Sequence, residues 1–241
     1  MKLRLIQTFL LFTTSVMIAQ LETGFGGGNS YAGATVYSLS SRINNETNNS
    51  DLVDLSTIEG SPYETDLFML GKASNKLTKK SQPNYIRYNV YNDVIELKEN
   101  LNDTKIIGLI KSLNIYAIVN NKEYHYEIYS DDNSKTNEGY FILISKGVNS
   151  NLYLKKSQEF KDKVKAKDAY HNDSPATFEN SEAYYIKKGR ILHPLTKSKK
   201  EFLKQFPEKE SELKKYMKAE KINLKSEKDV VKLFKYYDSI L

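Results

Sequence analysis

The sequence predicts an α+β fold: an antiparallel β-sheet meander of about seven to nine strands followed by two or three C-terminal helices. Three observations predict it. Short β-favouring runs are separated by Asn-, Asp- and Gly-containing turn signals. The 241 residues include 18 Tyr and 10 Phe but no Trp, so aromatic side chains that suit a half-buried sheet carry much of the packing. Near residue 196 the apolar period changes from that of a strand to that of a helix.

The elements follow in chain order. "MKLRLIQTFLLFTTSVMIAQ" has Lys2 and Arg4 before an uncharged run from Leu5 to Ala19, the layout of a secretory signal peptide. Ala19 suits the last position before cleavage, although Met17 is larger than usual two places earlier. An uncleaved anchor is the alternative, and the run is short of the roughly 20 residues that span a bilayer. Residues 20–59 contain "TGFGGGNSYAGAT" and "NNETNNSD" and read as a flexible Gly/Asn-rich lead-in with little core contribution. Gly26–Gly28 has no preceding strand and no Gly-Lys-Ser/Thr ending, so it is no phosphate loop.

The β domain is expected over 60–195. "GSPY" (Gly60–Tyr63) is a turn that introduces the short apolar strand "TDLFMLGK". Asn92-Asp93, Asn120-Asn121 and Lys188-Gly189 are read as two-residue hairpin turns. The first sets Val90 opposite Ile95, Tyr88 opposite Leu97 and Asn89 opposite Glu96. The second sets Ala117 opposite Tyr124, and His125 opposite Tyr116. The third sets Ile186 opposite Ile191, and Tyr185 opposite Leu192. "GYFILISKG" reads as a central strand, "VNSN" as the turn into "LYLKK", and "KDKVKAKDAYHNDSPATFENS" as a long loop.

A helical appendage packed on the sheet is expected over 196–241. A short helix covers 197–205. A second starts at Pro207, with acids first, lysines last and an apolar stripe of Leu213, Tyr216 and Met217. A third opens at Ser226, with Asp229 three residues on as a variant capping box, then Val230, Leu233, Phe234 and Tyr237 at helical spacing.

Composition excludes several chemistries. The chain has no cysteine, so it holds no disulfide, thiol nucleophile, Cys-zinc site or lipidated cysteine, and it is not a lipoprotein. No metal or other cofactor is expected: His125, His171 and His193 share no ligand spacing. His171 lies near Asp173 and Ser174, but no G-x-S-x-G elbow accompanies them. Ser130–Gly139 fails the calcium-loop pattern, because Lys135 would occupy a ligand position. Tyr88, Tyr124 and Tyr126 alternate with polar neighbours and read as core more readily than as a sugar-stacking platform. Residues 151–241 hold 22 Lys/Arg and 14 Asp/Glu, whereas residues 1–150 hold 14 and 16. Only four basic residues are Arg, which argues against nucleic acid as a partner and for a lysine-rich solvated surface.

One polar cluster stands out in "NYIRYNVYNDVIELKEN": Arg87, Asn89 and Glu96 fall on the polar face of the expected hairpin. They are the candidate binding residues, with a structural polar cluster as the stronger reading. Exposed, an Arg87–Glu96 pair contributes under about 1 kcal/mol. Covered, loss of Glu96 would strand a charge and cost roughly 3–5 kcal/mol.

"RYNVYNDVIEL" after "GSPY", together with the ending "LKKYMKAEKINLKSEKDVVKLFKYYDSI", resembles a group of exported proteins of Bacteroidota that share an RYNxYxDxIE hairpin. The resemblance covers about residues 60–241 and implies address and architecture but no activity. The expectation is a non-enzymatic envelope protein, periplasmic or secreted. It would bind or scaffold an envelope protein or membrane surface, with no transmembrane segment after signal removal. The alternative is a glycan- or peptide-directed hydrolase or ligand-binding protein with its site near Arg87, Asn89 and Glu96.

Overall fold

The structure is a computed structural model and describes residues 58–131, 133–166 and 173–241. The expected signal peptide, nearly all of the lead-in, and His171 lie outside the described residues.

Among the described residues the fold is α+β, with ten strands in one sheet and three C-terminal α-helices. The strands are β1 Met69–Asn75, β2 Ser81–Asn89, β3 Val94–Lys98, β4 Ile107–Gly108, β5 Ile115–Val119, β6 Lys122–Ser130, β7 Thr136–Lys146, β8 Asn151–Lys161, β9 Thr177–Lys188 and β10 Ile191–Pro194. The helices are α1 Lys199–Lys204, α2 Glu210–Ala219 and α3 Glu227–Ser239. A short 3-10 turn, Pro207–Lys209, leads into α2, so the proline precedes the α-helix proper.

The expected meander of seven to nine strands is corrected in two ways. The strands number ten, and the sheet is mixed. Its order is β10-β9-β8-β7-β6-β5-β1-β2-β3-β4, and β10 also meets β6 in parallel at Leu192–Tyr129. β7 takes one edge of β6 along Glu123–Ser130. The other edge is shared: β5 holds Lys122–His125 and β10 reaches Tyr129. Strands β6–β10 thus close into a five-stranded barrel, and β5, β1, β2, β3 and β4 continue as an open wing. A bulge between Leu143 and Ser145 bends β7. Closure was not legible because hairpin signals report neighbouring strands only, whereas β6 and β10 lie some sixty residues apart.

The pleat sorts most buried side chains into two cores, beside a small cluster of Ile58 and Phe178. Phe141, Tyr153, Tyr185 and Leu192 fill the barrel. Tyr124, Tyr140, Ile142, Leu154 and Ile186 face outward from it and join Ile86, Tyr88, Ile95 and Ala117 of the wing with Phe202, Leu213, Met217, Leu233 and Phe234 of the helices. Tyr88, Tyr124 and Tyr126 are therefore core residues: Tyr88 and Tyr126 each pack edge-on against Tyr140, and Tyr124 lies tilted against Tyr88.

Registers differ in an instructive way. At Asn120-Asn121 the pairs Ala117–Tyr124 and Tyr116–His125 are present, and both asparagines adopt positive φ. The β9–β10 pairing is Ile191–Lys188 and His193–Ile186, two residues from expectation, because Gly189 with φ +64° takes the first loop position instead of the second. The β2–β3 pairing is Arg87–Glu96 and Tyr88–Ile95, also shifted by two, so the turn spans Val90–Asp93. An even shift keeps every side chain on its expected face. The supposed long loop is shorter, since β8 runs to Lys161 and β9 starts at Thr177 in continuous pairing. Ser226 stands at the α3 N-cap, but its hydroxyl makes no cap bond; Asp229 instead accepts from the Asn223 amide at 3.0 Å.

The four-residue turn has a cause. β7 and β8 pair only up to Ile142–Leu154 and then part. Asp93 enters the gap from the wing. Its carboxylate accepts from the Tyr140 amide at 3.1 Å and the Tyr88 hydroxyl at 2.7 Å. Lys155 meets it at 2.9 Å and donates to the Tyr140 carbonyl at 3.1 Å. A Cβ on residue 139 would sit 2.5 Å from the Asp93 carboxylate and 2.7 Å from Lys155 Nζ, which is why Gly139 stands there.

Candidate functional site

The candidate residues Arg87, Asn89 and Glu96 are brought together. Direct pairing of Arg87 with Glu96 places Arg87 Nη2 2.6 Å and Nε 3.0 Å from the same carboxylate oxygen, Oε2. Asn89 donates to the other oxygen at 3.1 Å, and its own carbonyl accepts from the Asn92 amide at 3.0 Å. Glu96 is 1% exposed and Asn89 fully buried.

The face is covered by residues 61–68, a strap the sequence reading treated as a turn and a strand start. Tyr63 bridges Asn89, with the Val90 amide donating to the Pro62 carbonyl at 2.9 Å and the Glu64 amide to the Tyr88 carbonyl at 3.0 Å. The strap thus takes over the β2 edge just ahead of the start of β1 at Met69. The Arg87 guanidinium lies 3.6 Å from the Tyr63 ring centre and 4.3 Å from that of Phe68, while Nη1 donates to the Asp66 carbonyl at 3.1 Å. Burial, then the neighbouring Glu96 charge, push the Tyr63 phenol pKa up and keep it neutral.

Glu64 continues the strap into a second cluster. Its carboxylate binds Lys122 at 2.6 Å, Lys156 at 3.0 Å and the Tyr124 hydroxyl. Burial raises its pKa, but these three hydrogen bonds outweigh burial and hold it below the ordinary value. Between Glu64, Arg87, Tyr88, Lys122 and Tyr124 lies a cavity of about 20 Å³, room for one water and no substrate. The upstream end is tied as well: the Glu59 amide bonds the Ala176 carbonyl at 2.8 Å, Gln158 donates to Ser61, and Ile58 packs on Phe178. Ile58 is therefore a buried residue packed on β9, and Glu59, itself exposed, is held to β9 through its backbone.

The remaining candidates are dispersed. At one end of the barrel, buried Glu127 binds Lys187 at 2.7 Å, and His125 stacks on Tyr116 with centres 5.0 Å apart. Burial, then the Lys76 charge, lower the His125 pKa and favour the neutral ring; Nε2 meets Glu123 at 3.0 Å. Asp173 accepts from the Ala166 amide at 2.8 Å. Asp131 caps its own loop by accepting from the Asn133 and Lys135 amides at 2.9 Å, the work of a hairpin turn. Among the described residues, no three His, Asp or Glu side chains gather as a metal site. The chain matches no family model, no curated protein and no solved structure.

Sequence reasoning found the Arg87 cluster but missed Tyr63, Glu64, Asp66, Phe68, Asp93 and Lys155. "GSPY" carries a turn signal, and nothing in its composition points at Arg87.

Three outcomes are expected. Glu96→Ala should lower the urea-derived stability by about 3–5 kcal/mol, because it leaves the Arg87 guanidinium without its partner. Arg87→Met with Glu96→Gln, which keeps an acceptor for Asn89, should recover most of that loss. The depressed Glu64 pKa makes its ionised form stabilising above the ordinary carboxylate range, a contribution lost as pH falls through the folded-state value. Melting curves taken downward from neutral pH should therefore fall more steeply for the wild type than for Glu64→Gln.

Proposed function

We propose that the protein is a non-enzymatic component of the bacterial envelope, exported by its N-terminal segment, that binds or scaffolds a protein partner in the periplasm or at the outer membrane. The observation that carries this reading is the mutual satisfaction of the polar groups. Both Glu96 oxygens, the Asn89 amide and the Arg87 fork are engaged by one another and by the strap. They line no substrate-sized cavity, so a hydrolase centred on them finds no support.

The wing offers a partner surface beside that lock. The face opposite the core carries Leu70 with Tyr85 directly opposite it, and Ile118 and Tyr116 further along, opposite Lys72 and Ser74. Leu70 is 67% exposed, and Leu67 on the strap 75%. Exposed Leu70 and Leu67 beside half-buried Tyr85 and Ile118 give an apolar surface that suits protein association. No helix of the described residues is long and apolar enough to cross a membrane. The address rests on Lys2, Arg4 and the uncharged run to Ala19.

A photo-crosslinkable residue at position 70, in cells that export the protein, should give a discrete adduct with an envelope protein. The same residue at Glu179 should not. Absence of an adduct at 70, or equal labelling at both positions, would contradict the proposal.

A further inference from the structure

Some acids of the C-terminal layer are engaged by the fold or by a neighbouring lysine, whereas Glu208, Glu210 and Glu212 are exposed. The Asp238 carboxylate accepts from the Val148, Asn149 and Ser150 amides at 2.7, 2.9 and 2.9 Å, clamping α3 onto the β7–β8 turn. Asp229 accepts from the Asn223 amide, and Glu227 hydrogen-bonds Tyr184. Glu220 pairs with Lys232.

The lysines turn away. On α3, Val230, Leu233 and Phe234 are buried, and Lys228, Lys232 and Lys235 follow each other at i, i+4 and i+7 on the opposite side. On α2, Leu213 and Met217 are buried, and Lys214, Lys215 and Lys218 are exposed. The connecting loop adds exposed Lys221 and Lys225. Of these lysines only Lys232 forms an ion pair among the described residues. Where the two helices meet, Tyr216 and Tyr236 stack with ring centres 3.9 Å apart and planes within 3°, both half-buried.

We propose that this lysine face docks on an anionic lipid surface. Lysines act as hydrated point charges suited to a diffuse sheet of headgroups, whereas bidentate recognition of nucleic-acid phosphates and bases calls for Arg, and residues 196–241 contain none. The apolar sides of α2 and α3 are already buried in the core, so the helices adsorb without entering the hydrocarbon, and attachment is electrostatic and salt-sensitive. This inference concerns a face separate from Leu70, so it can fail while the cross-link at position 70 persists, and the reverse.

The test is co-sedimentation of the full chain with phosphatidylcholine vesicles containing about a third phosphatidylglycerol, against pure phosphatidylcholine. The wild type should bind the anionic vesicles only and be released by salt. The triple variant Lys214→Gln, Lys228→Gln, Lys235→Gln should lose about 100-fold in partitioning, roughly five-fold per lysine. A triple of equal charge change on the wing, Lys72→Gln, Lys79→Gln, Lys80→Gln, should lose less than about five-fold. Circular dichroism of both triples checks that each is folded. Equal binding to neutral vesicles, or equal losses from both triples, would overturn the proposal. So would binding to dextran sulfate or an oligonucleotide through the same lysines without binding to vesicles.

Discussion

Where β7 and β8 separate, a strand edge would be left without partners, and Asp93 fills the place of the missing ladder. Much of the architecture depends on that carboxylate. It draws the tip of the β2–β3 hairpin into the barrel wall and so joins the open wing to the closed barrel. It neutralises Lys155, whose pKa burial lowers and Asp93 supports. It sets the length of the hairpin turn, and a Cβ at 139 would push the Asp93–Lys155 pair aside. A buried ion pair of this kind is weak evidence for net stability, because desolvation opposes attraction. Its contribution here is positional: Asp93, Lys155, Tyr88 and the Tyr140 backbone satisfy one another in a single arrangement.

The strap repeats the same logic one strand further out. Tyr63 and Phe68 enclose the Arg87 guanidinium, and Glu64 reaches Lys122 on β6 and Lys156 on β8. Beyond the β5–β6 ladder and the shared core, wing and barrel are therefore also joined through Asp93 and through Glu64. Both joints consist of charged groups that composition alone would suggest as reactive. Their enclosure turns the search for function toward surfaces: the apolar face of the wing and the lysine face of the helices.

The α+β class, the hairpin faces and the helical end were legible in the sequence, because each rests on local chemistry. Asn120 and Asn121 accept positive φ, and alternation fixes which side of a strand is buried. The hairpin registers were legible only where the turn answered to its own residues. At Val90–Asp93 the turn answers to Tyr140 and Lys155, some fifty residues away, and local rules placed it two residues off. Barrel closure through Leu192 and Tyr129 and the cover over Arg87 were hidden for the same reason. Ser226 shows the converse: the residue stands at the helix start, while Asp229 turns to Asn223 and the box does not form.

The most direct measurement is the unfolding free energy of Asp93→Ala by urea titration. The account predicts a loss of about 3–5 kcal/mol, since the substitution leaves Lys155 and the Tyr140 amide buried without their acceptor. A loss under about 1 kcal/mol, the size of an exposed ion pair, would contradict it.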